Sequence, residues 1–348
     1  MFLFHIIITK IHELQMKSFL NIYSSIYLII PIICFLTYEN IHYKLYSHLP
    51  NKSFKKLVLM SEIQPSSGVI VLGMHRSGTS CLTSLIEKFG LKLGEPLYGP
   101  AVDNAKGYFE RVDVNTQNEI FLNMQNATYY SNTNLYDGNK AINISAYHTE
   151  YFTQALSFLN NQTNYPWVIK DPRLCITINS WIKFLNSTPS ILFTYRNPHD
   201  VALSLKKRNN FTMNHSLTLW YIYNKRAIQN SKGLCRIITS YYNIINNFEN
   251  ELQSIIRGLI KCKIHVPLEF KLIRKDDLFD KNLRHWSTQE KPCNNSKASS
   301  ILYHNDSYIN LVRETGRVYC ALKDGTAFQP NFNWDENITD YMSISRSY

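Results

Sequence analysis

Patterns typical of strands and of helices alternate along the chain from about residue 68. An unbroken apolar run at 69–72 predicts a buried strand, and further short strands are predicted at 167–169, 190–195 and 236–239. Apolar residues then recur at helical spacing after the first strand, as far as Gly90, and again over 199–207, 215–231 and 247–260. Apolar strands that alternate with helices are typical of a parallel sheet covered on both faces. We therefore predict an α/β fold with a doubly wound, mainly parallel sheet.

The first 66 residues follow a different pattern. Residues 19–36 contain no charged residue over 18 positions, which is close to the lower limit for a helix that crosses a bilayer. Residues 38–66 are polar and show no sustained apolar period. We expect a cytosolic tail over 1–18, one N-terminal transmembrane helix over 19–37, a stem over 38–66 and the folded domain over 67–348. A cleaved signal peptide is the alternative to the anchor.

Lysines flank the apolar segment on both sides and do not fix its orientation, so glycosylation sequons must decide. All of the Asn-x-Ser/Thr sequons follow the segment, and they begin at Asn51, Asn126, Asn143, Asn161, Asn186, Asn210, Asn214, Asn294, Asn305 and Asn337. Such sequons are used in the secretory lumen. We therefore expect a luminal body. A cytosolic protein with unused sequons is the alternative.

Composition and charge narrow the classes of partner. The chain has 348 residues, of which 37 are basic and 26 acidic, and the net charge of +11 favours an anionic ligand, an anionic polymer or a membrane surface. An ordinary solvated basic surface is the alternative. No zinc-finger spacing, aromatic RNA-binding signature or basic heptad region is present, so nucleic acid is not an expected partner. No cysteine and histidine spacing predicts a metal site, and the cysteine pairing stays open.

A glycine-rich turn joins the first strand to its helix. It reads Gly-Met-His-Arg-Ser-Gly-Thr-Ser over residues 73–80. Inward-pointing backbone N–H groups and the helix N-terminus together predict a P-loop-like phosphate cradle. Thr79 stands where the loop of nucleotide triphosphatases has lysine, which disfavours a magnesium-dependent kinase or hydrolase. A P-loop nucleotide kinase or hydrolase stays an alternative, and so does a tight turn without a ligand.

A second polar segment follows the third predicted strand. Arg196 leaves the carboxyl end of that strand, where open α/β sheets bind ligands. Asn197 and Pro198 suit the N-cap and the first position of a helix, and Asp200 suits a capping carboxylate. Ser204 shares the helix face of Asp200. Together with the turn at 73–80, this segment predicts a ligand with two separated anionic groups.

These segments resemble a known family. Residues 73–80 are similar to the 5′-phosphosulfate loop, and residues 196–204 to the 3′-phosphate motif, of sulfotransferases that use 3′-phosphoadenosine 5′-phosphosulfate (PAPS). Residues 106–110 and 170–173 are similar to the bacterial and carbohydrate-type branch. The resemblance implies PAPS as cofactor, no metal, and cofactor binding by Gly73, His75, Arg76, Ser77, Gly78, Thr79, Ser80, Arg196 and Ser204.

Two features depart from the family pattern. The better-known cytosolic branch has lysine at the position of Arg76. The basic loop that covers the 3′-phosphate in the family has no clear counterpart, and Arg317 and Lys323 are the candidates for its role.

The resemblance also implies a reaction, in which an acceptor hydroxyl attacks sulfur in line while cations and loop N–H groups stabilise the developing charge. We expect Glu110 as general base, with Lys170 and Arg76 as further catalytic residues. Asp113 is the reserve base and, with Arg173, a candidate for acceptor binding. Glu110 as a surface partner of Arg111, and an Asp171–Arg173 pair that only closes a turn, are the structural alternatives.

The acceptor is not specified by the sequence. Anchor, stem and luminal body together suit a single-pass type II protein of the Golgi membrane that modifies a hydroxyl-bearing glycan or protein. Trp167, Trp181 and Trp220 suit core packing better than sugar stacking at their apolar spacing. A catalytically silent, membrane-anchored glycan-binding protein on the same fold is the remaining alternative. The sequence does not predict an oligomeric state.

Overall fold

The computed structural model describes residues 68–101, 107–140, 144–266, 293 and 307–340. The predicted cytosolic tail, transmembrane anchor and stem lie outside the described residues. Within the ranges described, no helix is both long and apolar enough to cross a membrane.

Four parallel strands form the sheet found in the described residues. They are β1 (Gly68–Leu72), β2 (Trp167–Lys170), β3 (Ser190–Tyr195) and β4 (Arg236–Ser240), and their order across the sheet is β2-β1-β3-β4. Every residue of β1, β2 and β3 is buried. Because successive side chains point to opposite faces, both faces of these strands are covered. The predicted α/β fold with a parallel sheet is confirmed.

The helices of the described ranges connect and cover these strands. They are α1 (Thr79–Lys88), α2 (Val112–Asn123), α3 (Glu150–Leu159), α4 (Leu174–Ile182), α5 (Pro198–Asn209), α6 (Met213–Asn230), α7 (Tyr241–Asn246), α8 (Phe248–Lys261) and α9 (Ser307–Asp324). The helices predicted at 199–207, 215–231 and 247–260 are α5, α6 and α8, each within a few residues. Asn197 caps α5 as predicted, because its side chain accepts the His199 N–H at 2.9 Å.

The direction in which the chain adds strands to the sheet reverses once, between β1 and β3. The chain passes from β1 to β2 on one side, and then returns to place β3 on the other side of β1. This reversal is a topological switch point, and the loops that follow β1 and β3 diverge there at the carboxyl ends of the strands. Residues 73–80 and 196–204 are these two loops with the helix starts that follow them.

Three tryptophans are fully buried in the core, and each indole N–H has an acceptor. Trp167 donates to the Leu159 carbonyl at 2.9 Å, Trp181 to Asn118 Oδ1 at 2.8 Å and Trp220 to the Arg196 carbonyl at 2.9 Å. The core role predicted for them is confirmed, and the alternative of sugar stacking on these residues is wrong. The bond from Trp220 also fixes the backbone at the end of β3.

Two disulfides were not predictable from the cysteine spacing. Cys235, next to β4, is bonded to Cys262 at the end of α8, and Cys293 is bonded to Cys320 in α9. Each pair is separated by 27 residues. In the chain-entropy model a loop of this length contributes about 3–4 kcal/mol to the free energy of unfolding.

Candidate functional site

The turn after β1 is packed too closely for ordinary side chains at its glycines. A Cβ on Gly73 would lie 2.6 Å from the Thr194 carbonyl oxygen, and a Cβ on Gly78 would lie 2.3 Å from the ring of Tyr241. Gly78 has a φ of +87° and is the N-cap of α1 without a side-chain capping bond. Glycine has no side chain that could accept from the first N–H groups of α1. These N–H groups can therefore donate to an anion.

The two segments that the sequence singled out meet at the switch point. The Arg76 Nε–H donates to Ser204 Oγ at 2.8 Å, and the Arg196 Nη1–H donates to the Arg76 carbonyl at 3.1 Å. Arg76 itself has a φ of +68°. Its backbone therefore belongs to the turn after β1, while its side chain contacts the helix after β3. We expected Arg76 at the 5′ end of the ligand, and the structure places its Nε against the residue expected at the 3′ end.

Arg196 is held from two further directions. Its guanidinium lies 4.5 Å from the centre of the Tyr241 ring, and its Nε lies 3.8 Å from Asp200 Oδ2. Tyr241 is thus in contact with both the glycine turn and Arg196. Tyr241 was not among the site residues expected from the sequence. The available signal was its position directly after β4, at the same edge of the sheet as Arg196.

Unsatisfied hydroxyl groups at this edge test whether an anionic ligand fits. Ser77 Oγ, Thr194 Oγ1 and Thr239 Oγ1 are buried and have no hydrogen-bond partner in the structure. A buried hydroxyl without a partner costs about 1–3 kcal/mol. Ser77 lies inside the glycine turn, so a ligand with anionic oxygens would supply an acceptor there. The residues therefore fit a phosphate or sulfate group.

A buried ion pair adjoins the start of α1. Lys170, the last residue of β2, places Nζ 2.6 Å from Glu110 Oε1 and 3.2 Å from Ser80 Oγ. Glu110 Oε2 accepts a hydrogen bond from Asn115 Nδ2 at 3.1 Å. The Ser80 hydroxyl also donates to the Tyr108 carbonyl at 3.2 Å. Lys170 therefore contacts both Glu110 and Ser80, although the three residues lie far apart in the sequence.

Burial raises the pKa of Glu110 above its ordinary value, and the charge of Lys170 opposes part of that rise. The alternative in which Glu110 pairs with Arg111 at the surface is wrong, because Glu110 is buried against Lys170 and Arg111 pairs with Asp113.

Asp113 does not reach this cluster. It is fully buried, and its two oxygens accept from Arg111 Nε at 3.0 Å and Arg111 Nη2 at 2.6 Å. Its Oδ1 also accepts from the Val114 N–H at 2.7 Å. The structure does not support the prediction that Asp113 serves as reserve base or binds an acceptor, because its side chain has no exposed surface and is held by Arg111, whereas the Glu110 side chain is 12% exposed.

Arg173 lies between two carboxylates and an aromatic ring. It pairs with Asp171 Oδ1 at 3.0 Å and with Glu119 Oε1 at 2.5 Å, and its guanidinium lies 5.0 Å from the centre of the Tyr129 ring. The Arg173 N–H also donates to Asp171 Oδ1 at 3.0 Å. The pair that closes a turn, which is the structural alternative to acceptor binding by Arg173, is therefore present.

His75 is held neutral within the turn. Burial lowers its pKa well below the ordinary value, and the charges of nearby cations lower it further; these are Arg173, Arg208, Lys170 and Arg76. The ring lies 5.3 Å from that of Tyr129 and 5.4 Å from that of Tyr223. The same set of cations shows that positive charge gathers around the turn.

The two C-terminal candidates for a basic loop lie on α9. Arg317 pairs with Glu314 Oε1 at 2.6 Å and donates to the Asn333 carbonyl at 2.6 Å. The Lys323 ammonium lies 6.0 Å from the centre of the Tyr319 ring. Arg317 is therefore bonded to the segment that follows α9, and its role over a 3′-phosphate stays a prediction.

Fold and site together define an α/β protein with a P-loop-like turn at the switch point of a parallel sheet. No group of three or more His, Cys, Asp or Glu side chains in the described ranges could hold a metal ion. No family model matches the chain, and no curated protein sequence matches it.

Among solved structures, the chain is similar to the sulfotransferase domain from the Synechococcus PCC 7002 olefin synthase. The two are 13% identical, with a TM-score of 0.38, over 74% of this chain and 95% of that domain.

Proposed function

We propose that this chain is a sulfotransferase that moves a sulfuryl group from PAPS to an acceptor hydroxyl without a metal. The observation that carries the proposal is the direct contact between the two anion motifs. Arg76 of the first motif donates to Ser204 of the second, and Arg196 of the second donates to the Arg76 carbonyl. A nucleotide with separate anionic groups at its 5′ and 3′ positions needs two such motifs at one edge of the sheet, as found here.

The residues of the two motifs divide the binding of PAPS between them. Backbone N–H groups of the turn and of the α1 N-terminus would hold the 5′ end, close to Ser77 and Thr79. Arg196 and Ser204 would hold the 3′-phosphate, with Tyr241 and Asp200 orienting Arg196. PAPS, when bound, supplies the sulfuryl group and a bisphosphate as the leaving group. Arg76 contacts both motifs, so its position would depend on the groups bound at the 5′ end and at the 3′-phosphate.

The Glu110–Lys170 pair supplies the chemistry at the acceptor side. Glu110 would accept the proton of the acceptor hydroxyl. PAPS would supply the sulfuryl group to the acceptor oxygen, and the bisphosphate would leave with the electron pair of the broken sulfur–oxygen bond. The charge of Lys170 opposes part of the rise that burial gives to the pKa of Glu110, and it places positive charge near the reacting oxygens. A carboxylate with a raised pKa is a better base near neutral pH than an ordinary one.

We further propose that the described domain lies in the lumen of the secretory pathway, as a type II protein of the Golgi membrane. Every sequon asparagine in the described ranges is exposed, namely Asn126, Asn161, Asn186, Asn210, Asn214 and Asn337. The two disulfides also suit an oxidising compartment. Both observations support the luminal assignment, and neither concerns residues 1–66.

Thermal unfolding with nucleotide tests the cofactor. We expect 3′-phosphoadenosine 5′-phosphate to stabilise the full-length protein by about 2.7 kcal/mol at a hundredfold excess over its Kd. Arg76→Ala and Arg196→Ala should remove this stabilisation and the transfer of labelled sulfate. Arg313→Ala, which removes an exposed arginine on α9, is the matched control and should keep both. Stabilisation by ATP with magnesium alone would identify a kinase or hydrolase, and a well-folded protein that responds to neither would refute the proposal.

A further inference from the structure

One face of α2 carries polar side chains that bond to the acceptor side of the proposed site. Asn115, Asn118 and Glu119 share this face, because positions three and four apart on a helix are neighbours. Asn115 Nδ2 donates to Glu110 Oε2 at 3.1 Å. Glu119 Oε1 accepts from Arg173 Nε at 2.5 Å. A helix face that bonds to the expected base, and to a cation that follows β2, can determine where those groups lie.

Asn118 fixes α2 relative to β2 and α4. It is fully buried, and its Oδ1 accepts from Thr177 Oγ1 at 2.7 Å and from Trp181 Nε1 at 2.8 Å. Because two donors point at Oδ1, the amide is oriented with its Nδ2 towards Asp171, and Nδ2 donates to Asp171 Oδ2 at 2.9 Å. Asp171 is the residue directly after β2. The backbone that carries Asn115, one turn before Asn118, is therefore fixed relative to the end of β2.

The bond from Asn115 holds the second oxygen of the Glu110 carboxylate. Lys170 Nζ lies 2.6 Å from Oε1, and Asn115 Nδ2 lies 3.1 Å from Oε2. The terminal torsion of a glutamate side chain has only broad preferences of its own, so donors on both oxygens are needed to fix the carboxylate plane. An ionised carboxylate has about four lone-pair positions, and each of the two donors takes one of them. The remaining lone pairs can accept from an acceptor hydroxyl.

Charged groups at the end of β2 and at the start of α4 also act on Glu110. Burial raises the pKa of Glu110 and the charge of Asp171 raises it further, whereas the charges of Lys170 and Arg173 lower it. A hydrogen bond that is donated to a carboxylate favours its charged form. The amide of Asn115 therefore supports the ionised base without adding a charge to the site.

We propose that Asn115 is a positioning residue for the transfer reaction, which holds Glu110 Oε2 so that the carboxylate stays ionised and in a fixed orientation for the acceptor hydroxyl. This inference rests on the proposed sulfotransferase function and adds a residue that acts through the base. A side chain that only filled space could be replaced by another of the same shape. A positioning role instead needs a hydrogen-bond donor at the place of Nδ2.

Infrared spectra of the full-length protein test this role without an acceptor. The carboxyl C=O band that disappears as the pH rises follows the ionisation of Glu110 when each protein is compared with the same protein carrying Glu110→Gln. Asn115→Ala removes the donor, so the midpoint of this change should move to higher pH. Asn115→Asp keeps the shape but replaces the donor by a second carboxyl, and the two carboxyls should share one proton up to a higher pH than in the wild type. Asn123→Ala, which changes an exposed residue at the end of α2, is the matched control and should keep the midpoint.

The rate of transfer of labelled sulfate shows whether Asn115 acts through Glu110. With PAPS in excess and a mixed extract of secreted glycoproteins as acceptor, Asn115→Ala should lower the rate about tenfold at neutral pH, as for the loss of one hydrogen bond to a charged group. The same change in the Glu110→Gln protein should have little further effect, because the effects of two residues that act through one contact are not additive. Stabilisation by 3′-phosphoadenosine 5′-phosphate should be the same in all of these variants.

The outcomes separate this inference from the function on which it rests. An infrared midpoint that stays in place in Asn115→Ala and Asn115→Asp would overturn the inference. An equal loss of rate with and without Glu110→Gln, or a loss of bisphosphate binding in both Asn115 variants, would also overturn it. A wild-type protein that does not bind the bisphosphate would instead refute the proposed function, and the infrared midpoint would still report on the bond between Asn115 and Glu110.

Discussion

Arg76 contacts both anion motifs through different groups. Its carbonyl accepts from Arg196 and its Nε–H donates to Ser204. Its φ of +68° costs about 1–2 kcal/mol for a residue other than glycine. Contacts on both sides hold the residue in this conformation. Strain that is kept at the meeting point of two motifs is typical of functional sites.

Arg76→Lys should show that this residue is more than a positive charge. Lysine has no group at the position of Nε, so the bond to Ser204 is lost although the charge remains. We expect the Kd for 3′-phosphoadenosine 5′-phosphate to rise about tenfold, as for the loss of one charge-assisted hydrogen bond. Calorimetric titration measures this, with Arg313→Lys as the matched control. Equal affinity in the two variants would argue against a binding role for the Arg76–Ser204 contact.

Glu110 should limit activity at acid pH. Burial raises its pKa, so the carboxyl stays protonated up to a higher pH than an ordinary glutamic acid does. The protonated carboxyl cannot act as a base. The rate of transfer should therefore fall as the pH decreases through the raised pKa. Lys170→Met removes the opposing charge, so the pKa should rise further and the acid limb of the pH–rate profile should move to higher pH. A limb that stays in place would exclude Glu110 as the group that titrates.

Glu110→Gln should lower kcat by about 10²–10⁴-fold, the usual contribution of a general base. Binding of the bisphosphate should persist, because the loss concerns the acceptor proton. Glu249→Gln changes an exposed glutamate on α8 and is the control. Transfer at the wild-type rate in Glu110→Gln would assign the base elsewhere.

At the scale of elements, the site is built at the carboxyl ends of β1, β2, β3 and β4. The glycine turn comes after β1, Lys170 ends β2, Arg196 comes after β3 and Tyr241 comes after β4. The carboxyl ends of parallel strands lie at the same edge, so each strand contributes one part. The close packing of Gly78 against Tyr241 brings the turn after β1 into contact with the residue after β4. β1 and β4 are the two strands that flank β3.

Gly78→Ala should remove nucleotide binding through its contact with Tyr241. The new Cβ meets both a positive φ and a ring atom at 2.3 Å. Gly233→Ala is the matched control, because Gly233 has a similar φ of +85° and nothing within 4 Å. Both variants should lose about 1 kcal/mol of stability from the backbone alone. Only Gly78→Ala should lose stabilisation by 3′-phosphoadenosine 5′-phosphate in thermal unfolding. Loss in both variants would assign the effect to backbone strain.

β1 was predictable because it is an unbroken apolar run, and the other strands were predictable from short runs rich in apolar and β-branched residues. Helices such as α5 were predictable from capping and spacing. α4 was not, because its residues are buried on nearly all sides and leave no helical period to recognise. The approach of Glu110 to Lys170 depends on the position of Lys170 at the end of β2. The pairing of Asp113 with Arg111 depends on how α2 begins after residue 111, which no pattern in the sequence reveals.

At the scale of the whole molecule, the exposed sequons and the disulfides bear on the proposed luminal location of the protein. The sequon asparagines of the described ranges are exposed, although asparagines in this fold also lie buried, as Asn118 and Asn224 do. An exposed sequon in the secretory lumen can receive a glycan. The disulfide between Cys235 and Cys262 joins β4 to the end of α8, beside the element that carries Tyr241.

Expression of the full chain in animal cells should therefore give a protein with N-linked glycans. Treatment with peptide N-glycosidase should increase its electrophoretic mobility. Replacement of Asn126, Asn161, Asn186, Asn210, Asn214 and Asn337 by Gln should remove most of that shift, with an equal number of Asn→Gln changes outside sequons as control. A protein with no shift would contradict the luminal assignment and leave the proposed reaction untouched.

The contact of the glycine turn with Tyr241 also determines when the site can form during synthesis. The turn leaves the ribosome early, but its packing partners Ser204 and Tyr241 are more than a hundred residues further along the chain. At about 5–20 residues per second, the turn waits on the order of ten seconds for them. A nascent chain that ends before β4 therefore contains the complete glycine turn but lacks Tyr241, which packs against it. Under the proposed function, nucleotide stabilises only chains that already include Tyr241, and it does not assist the folding steps that precede β4.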